Sequence, residues 1–201
     1  MGGHSAAARH ADPYVHLGGY GRLSLAPATD APLLVVFGGI DVGGVHSGVY
    51  MWNYMNALKS RYHIFVASSN HVNGLASYQA LMDKLDKLGM KPSEQILYLF
   101  SGGYRPGMDL LKFKPAAIFS WIYLVDIWMG AATVADFYKN LVTANTGKMS
   151  YVYTVFGANN DKTRDFIATK LGANATLVKG QAKEGGMQTH MRTNRTAIMD
   201  L

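Results

Sequence analysis

Cysteine is absent from the 201 residues, which excludes disulfides, thiolate metal sites and a cysteine nucleophile. The compartment stays open on that count, because extracellular proteins need not carry bridges. Charge is scarce as well: Asp, Glu, Lys and Arg make up 16% of the chain against 49% hydrophobic residues. That balance excludes a disordered chain and gives one domain enough apolar surface for a full core, part of it supplied by eleven methionines. No apolar run reaches the roughly 20 residues needed to span a bilayer; the most apolar stretch, 116–129, is short and interrupted. The first ten residues hold no apolar stretch of signal-peptide length, and Ala6 breaks the myristoylation pattern that Gly2 would begin. The expectation is therefore a chain without a transmembrane segment that stays in the cytoplasm.

A run of basic residues interleaved with aromatics is also missing. The net charge is +6, and Lys plus Arg exceed Asp plus Glu by one in residues 1–100 and by five in residues 101–201. The lysines are scattered singly, so no nucleic-acid partner is expected, although a positive surface suits an anionic lipid or substrate. The sequence carries no signal for an oligomeric state.

What is present is an alternation of two patterns. Residues 1–30 form a polar, Gly-rich leader in which 20–25 alternate weakly, as an edge strand would. A single domain is expected over 31–201. Continuous apolar runs at 33–37, 63–67, 96–100, 117–125, 151–156 and 175–178 read as buried strands. Between them lie helical stripes. Val45, Val49, Trp52, Met55 and Leu58 form one; Leu75, Tyr78, Leu81, Leu85 and Leu88 form the next, ended by Gly89 and Pro92; Leu110 and Leu111 mark a third. Val134, Phe137 and Leu141, then 163–171 and 193–199, mark three more. Apolar strands alternating with amphipathic helices predict an α/β three-layer sandwich with a mostly parallel, doubly wound central sheet. Such a sheet collects its chemistry at the carboxyl ends of its strands. Gly39, Ser68 to His71, Ser101, Asp126, Asn159 to Asp161 and the loop containing His190 all fall at those ends.

Residues 96–103 read Ile-Leu-Tyr-Leu-Phe-Ser-Gly-Gly. A serine on a sharp strand-to-helix turn exposes its hydroxyl, and the N–H of the next residue, Gly102, is free to face an oxyanion. The motif is an imperfect G-x-S-x-G, with Leu99 at the first glycine position; Ser and Gly after a strand are also ordinary turn chemistry. Serine needs a base, and His190, in the loop before the terminal helix, is the best placed. His46 and His71 precede Ser101 and read as pocket lining or solvated groups. A phosphate-cradling role for Gly38-Gly39 and Gly43-Gly44 is disfavoured, because neither G-x-G-x-x-G nor Lys followed by Ser or Thr is present.

These segments together resemble the α/β-hydrolase superfamily over roughly residues 33–199. Leu-Val-Val-Phe-Gly-Gly-Ile resembles its strand and oxyanion loop, Leu-Phe-Ser-Gly-Gly its nucleophile elbow, Tyr-Thr-Val-Phe-Gly-Ala-Asn-Asn-Asp its acid-bearing turn and Thr-His-Met its histidine loop. The resemblance implies a small, lidless, esterase- or lipase-like serine hydrolase with the chain order Ser, Asp, His. Ser101 is then the nucleophile and His190 the base. Asp161 is the favoured acid, 60 residues after the serine and 29 before the histidine, with Asn160 where the family usually has its acid. Asp126 competes, from a strand end some lipase-like members use. Gly102 with Gly39 or Ile40 would form the oxyanion hole. No metal or organic cofactor is needed, and the partner is a small-molecule or lipid ester. A hydrolase-fold protein that binds without catalysis is the alternative. Trp121, Trp128, Met129, Tyr104 and Met187 are candidates for an apolar pocket wall, and Arg105, Lys183, Arg192 and Arg195 for a basic rim; core packing and solvation are the alternatives for each set.

Overall fold

The computed structural model describes residues 14–41, 45–114 and 118–127, the strand backbones 148–153 and 175–179, and positions 165, 169, 191, 193–195, 197, 198 and 201. Among the described residues eight strands form one sheet: β1 (Val15–His16), β2 (Gly21–Ser24), β3 (Leu33–Phe37), β4 (His63–Ala67), β5 (Gln95–Phe100), β6 (Trp121–Val125), β7 (Lys148–Tyr153) and β8 (Ala175–Lys179). Their spatial order is β1-β2-β4-β3-β5-β6-β7-β8. The six strands from β3 onward are mutually parallel, whereas β1 on β2 and β2 on β4 are antiparallel. The expected mostly parallel sheet is thus present. The strand expected at 20–25 is not at the edge, because the two-residue β1 covers it.

Both faces of the sheet are covered, and the pleat decides what each side chain meets. On β3, Leu33, Val35 and Phe37 face one cluster with Leu97 and Leu99 of β5, and with Tyr78, Leu81 and Leu85 of α2 (Gly74–Lys87) and Leu110 and Leu111 of α3 (Tyr104–Phe113). Leu34 and Val36 face the other, with Tyr98 and Phe100 of β5, Met51, Trp52 and Met55 of α1 (Ser47–Met55), and Ala197 and Ile198. Every residue of β3 and β4 is therefore buried, which explains apolar runs with no polar alternation. Each such side chain contributes about 1.5–3 kcal/mol by leaving water.

Four helical and strand expectations shift, the first being the strand expected at 117–125, which begins only at Trp121. Val45 and Val49, assigned to the buried stripe, are 46% and 47% exposed, and the stripe of α1 begins only at Met51. Leu88 lies just past the end of α2 and is exposed. β7 (Lys148–Tyr153) starts three residues before the expected 151, because its register is set by pairing Trp121 with Lys148 and Val125 with Val152, while 154–156 lie outside the described residues. The helix expected around Val134, Phe137 and Leu141 lies outside the described residues; positions 165, 169, 193–195, 197 and 198 are helical, as expected for 163–171 and 193–199, and position 191, two residues ahead of the second range, is helical as well. Among the described residues no helix is long and apolar enough to cross a membrane.

Residues ahead of β3 are tied into the sheet by a core histidine. His63, fully buried on β4, accepts from the Ala26 N–H through Nδ1 (3.1 Å) and has Nε2 3.3 Å from the Thr29 carbonyl. That pairing uses the neutral tautomer with its proton on Nε2.

Candidate active site

β5 ends at Phe100 in extended conformation, Ser101 has φ 52°, and a 3-10 turn over Ser101–Gly103 leads straight into α3. An L residue in the left-handed region bends the chain sharply, and here it lifts Ser101 out of the sheet at the carboxyl edge. Gly103 makes the bend fit: a Cβ there would come 2.1 Å from the Phe37 carbonyl oxygen, so only glycine lets this turn close on β3. Leu99, at the first glycine position of the elbow motif, faces α3. The room it needs comes from Gly107, where a Cβ would stand 2.6 Å from a Leu99 methyl. The small residue missing from the strand is present on the helix instead.

The loop after β3 closes on this turn. A Cβ on Gly39 would lie 3.1 Å from the Ser101 Cβ and 2.9 Å from the Tyr50 hydroxyl. One on Gly102 would lie 3.1 Å from the backbone nitrogen of Ile40 and 3.1 Å from Nδ2 of Asn70. Ser101, Gly102, Gly39 and Ile40 are therefore brought together. Two backbone segments meeting beside the half-buried Ser101 are an arrangement from which donors to a developing oxyanion can come.

The β3 loop is pinned from below. Asp41 accepts from the Ser47 N–H (2.7 Å), from Ser69 Oγ (3.1 Å) and from His46 Nδ1 (2.8 Å). Desolvation opposes ionisation of this carboxyl, but the three hydrogen bonds and the nearby imidazole outweigh it and hold the group below the usual carboxylate range. Tyr50 donates to the Ile40 carbonyl (3.0 Å). Burial, then the charge of Asp41, pushes its phenol above the ordinary tyrosine value, so it remains a neutral donor. Asp41, Tyr50 and Asn70 were not singled out from the sequence, where only the polar segment from Ser68 to His71 pointed toward this edge.

Asp126 is the residue directly after β6, 1% exposed, with φ 44°. Phe100 and Val125 are ladder partners, so Ser101 and Asp126 occupy matching places on neighbouring strands about 4.8 Å apart. Asp161 and His190 lie outside the described residues, as do Trp128, Met129, Met187, Lys183 and Arg192. His46 and His71 are exposed on the active edge. One pocket-wall candidate is corrected. Trp121 begins β6, four residues and about 13 Å from its carboxyl end, and it packs against Tyr123. Tyr104 packs against the core cluster of α2 and α3. Arg105 is exposed over the Tyr104 ring and borders a cavity of about 370 Å³ with Asn70, His71 and Asp109; Arg195 is exposed.

No protein-family model and no curated protein matches the chain. Solved structures do. FphF, a fluorophosphonate-binding serine hydrolase of Staphylococcus aureus, superposes with a TM-score of 0.60 at 11% identity, over 92% of this chain and 95% of its own. Esterase PE8 gives 0.57 at 14% identity, over 90% and 98%. The esterase domain of a Rhodothermus marinus protein gives 0.58 at 11%, over 89% and 87%. The chain has the fold of these α/β-hydrolase-type enzymes.

Proposed function

We propose that the chain is a serine hydrolase that cleaves carboxylic esters through an acyl-enzyme, with Ser101 as nucleophile. The observation that carries this reading is the left-handed Ser101 at the end of β5, set against the Ile40 and Gly102 backbones. The fold it shares with esterases supports it.

His190 takes the proton of Ser101 as Oγ attacks the ester carbonyl, and the N–H groups of Gly102 and of Ile40 or Gly39 receive the oxyanion. Collapse of the tetrahedral species breaks the bond to the alcohol, which leaves with the proton from His190. Water then repeats the sequence on the acyl-enzyme and restores the serine. The C-terminal segment supports a histidine near this edge: after β8 at the far side of the sheet, the chain returns to the central strand, where Asn194 meets Tyr98 of β5. Asp161 is the acid we favour to orient the imidazole, and Asp126 is its competitor; substitution of each by Asn separates them, since only the true acid costs about 10⁴ in kcat.

The test is covalent. A fluorophosphonate should modify Ser101 in the folded protein, and Ser101→Ala should abolish both labelling and turnover of a short p-nitrophenyl ester. A folded chain that resists labelling would instead be a binding protein on the same fold.

A further inference from the structure

Asn70 sits at the carboxyl edge two residues past the half-buried Ser68, in the loop that joins β4 to α2. It is 1% exposed, yet neither Oδ1 nor Nδ2 of its side chain has a hydrogen-bond partner among the described residues. A buried polar group without a partner costs about 1–3 kcal/mol, and folds retain such groups where they have a task. The position of this one is informative. Nδ2 lies 3.1 Å from where a Cβ on Gly102 would stand, the same distance as the backbone nitrogen of Ile40. Glycine at 102 leaves that space to the carboxamide, and the carboxamide nitrogen comes up on the same side of Gly102 as the Ile40 backbone nitrogen, at the turn that carries Ser101.

We propose that the Asn70 carboxamide is a third donor to the oxyanion, alongside the N–H groups of Gly102 and Ile40. The inference rests on the ester-hydrolase reading above. A carboxamide N–H is suited to this place, because it is neutral in the resting enzyme and gives its full value only when charge develops on the carbonyl oxygen. The loop is held in advance of that event. Ser69 Oγ donates to Asp41 and accepts the His71 N–H (3.1 Å), which fastens both neighbours of Asn70 to the β3 loop. Three residues on, Asn73 caps α2 by accepting the Ala76 N–H (2.7 Å). A donor fixed on both sides costs little reorganisation as the transition state forms.

The experiment compares Asn70→Ala and the isosteric Asn70→Asp with the unsubstituted chain, measuring kcat and KM on a p-nitrophenyl ester, the rate of fluorophosphonate labelling, and the melting temperature. A third donor predicts a fall in kcat of about 100-fold for Asn70→Ala, KM within about twofold, slower labelling and no loss of melting temperature. Asn70→Asp should fall at least as far, since it offers an anion in place of a donor. Unchanged kcat in either folded variant overturns the proposal. So does a rise in KM with kcat preserved, which would make Asn70 a contact for the ground-state substrate. A lower melting temperature with kcat intact assigns it a structural role and overturns the proposal equally. If the unsubstituted chain neither hydrolyses esters nor accepts the fluorophosphonate, the hydrolase reading falls and takes this one with it; an active chain with indifferent Asn70 variants removes only this one.

Discussion

Two non-glycine residues of the described chain have positive φ, Ser101 at 52° and Asp126 at 44°, and both follow the last ladder pair of adjacent parallel strands. Left-handed backbone costs an L residue about 1–2 kcal/mol, and such strain gathers where a side chain must be presented rather than packed. Substitutions at 101 should therefore divide by backbone preference. Ser101→Gly relieves the strain and should leave the melting temperature unchanged or up to about 4 °C higher, whereas Ser101→Val, β-branched, should lower it by a similar amount. Both should block fluorophosphonate labelling; a melting temperature for the valine variant at or above that of the glycine variant would contradict the strain argument. Ser101 was legible in the sequence because an apolar run stops at it and two glycines follow. Asn70 was not, since its burial and its unpartnered amide arise from the approach of another loop, and nothing local encodes that.

At the scale of the element, the junction of β5 with α3 explains how leucine is accommodated at the first glycine position of the motif. Leu99 is fully buried, and its methyls occupy the space left open by Gly107, eight residues on and on the facing side of α3. Gly107→Ala should then destabilise the protein by about 1–3 kcal/mol through overpacking, despite the gain of about 1 kcal/mol that alanine brings to a helix interior. With Leu99→Ala already in place, the same substitution should cost nothing or stabilise. Denaturant unfolding of the four proteins reads the coupling, expected to be about 1 kcal/mol or more; additivity would separate the two positions. From sequence, Leu99 is a departure from a motif, because only the packed structure reveals where the compensating small residue has gone. Strand limits were blurred for a similar reason. An apolar run identifies β7, but its start is fixed by pairing with β6.

Across the whole molecule, the alternation of apolar strands and amphipathic helices was enough to foresee the layered sheet and the strand ends at which Ser101 and Asp126 lie. Strand order was not, since the crossover that places β4 outside β3 depends on contacts between segments far apart in the chain. The C-terminal segment is the clearest such case. Tyr98 of β5 donates to Asn194 Oδ1 (2.8 Å), Asn194 Nδ2 lies 3.5 Å from Met51 Sδ of α1, and Tyr62 donates to the Leu201 carbonyl (2.6 Å). Tyr98 and Asn194 are both fully buried, so the pair ties the end of the chain to the centre of the sheet with no water to replace a lost partner. Tyr98→Phe strands the Asn194 carboxamide and should cost about 1–3 kcal/mol. Asn194→Leu leaves the Tyr98 hydroxyl without its shorter bond and should cost a comparable amount. Removing both polar groups exchanges them for apolar contact, so the double variant should be more stable than the sum of the singles implies, by about 1 kcal/mol or more. Thermal or denaturant unfolding of this cycle decides it, and additive losses would mean that the Tyr98 hydroxyl and the Asn194 carboxamide do not stabilise each other, leaving the terminal segment to its apolar contacts and the Tyr62–Leu201 bond.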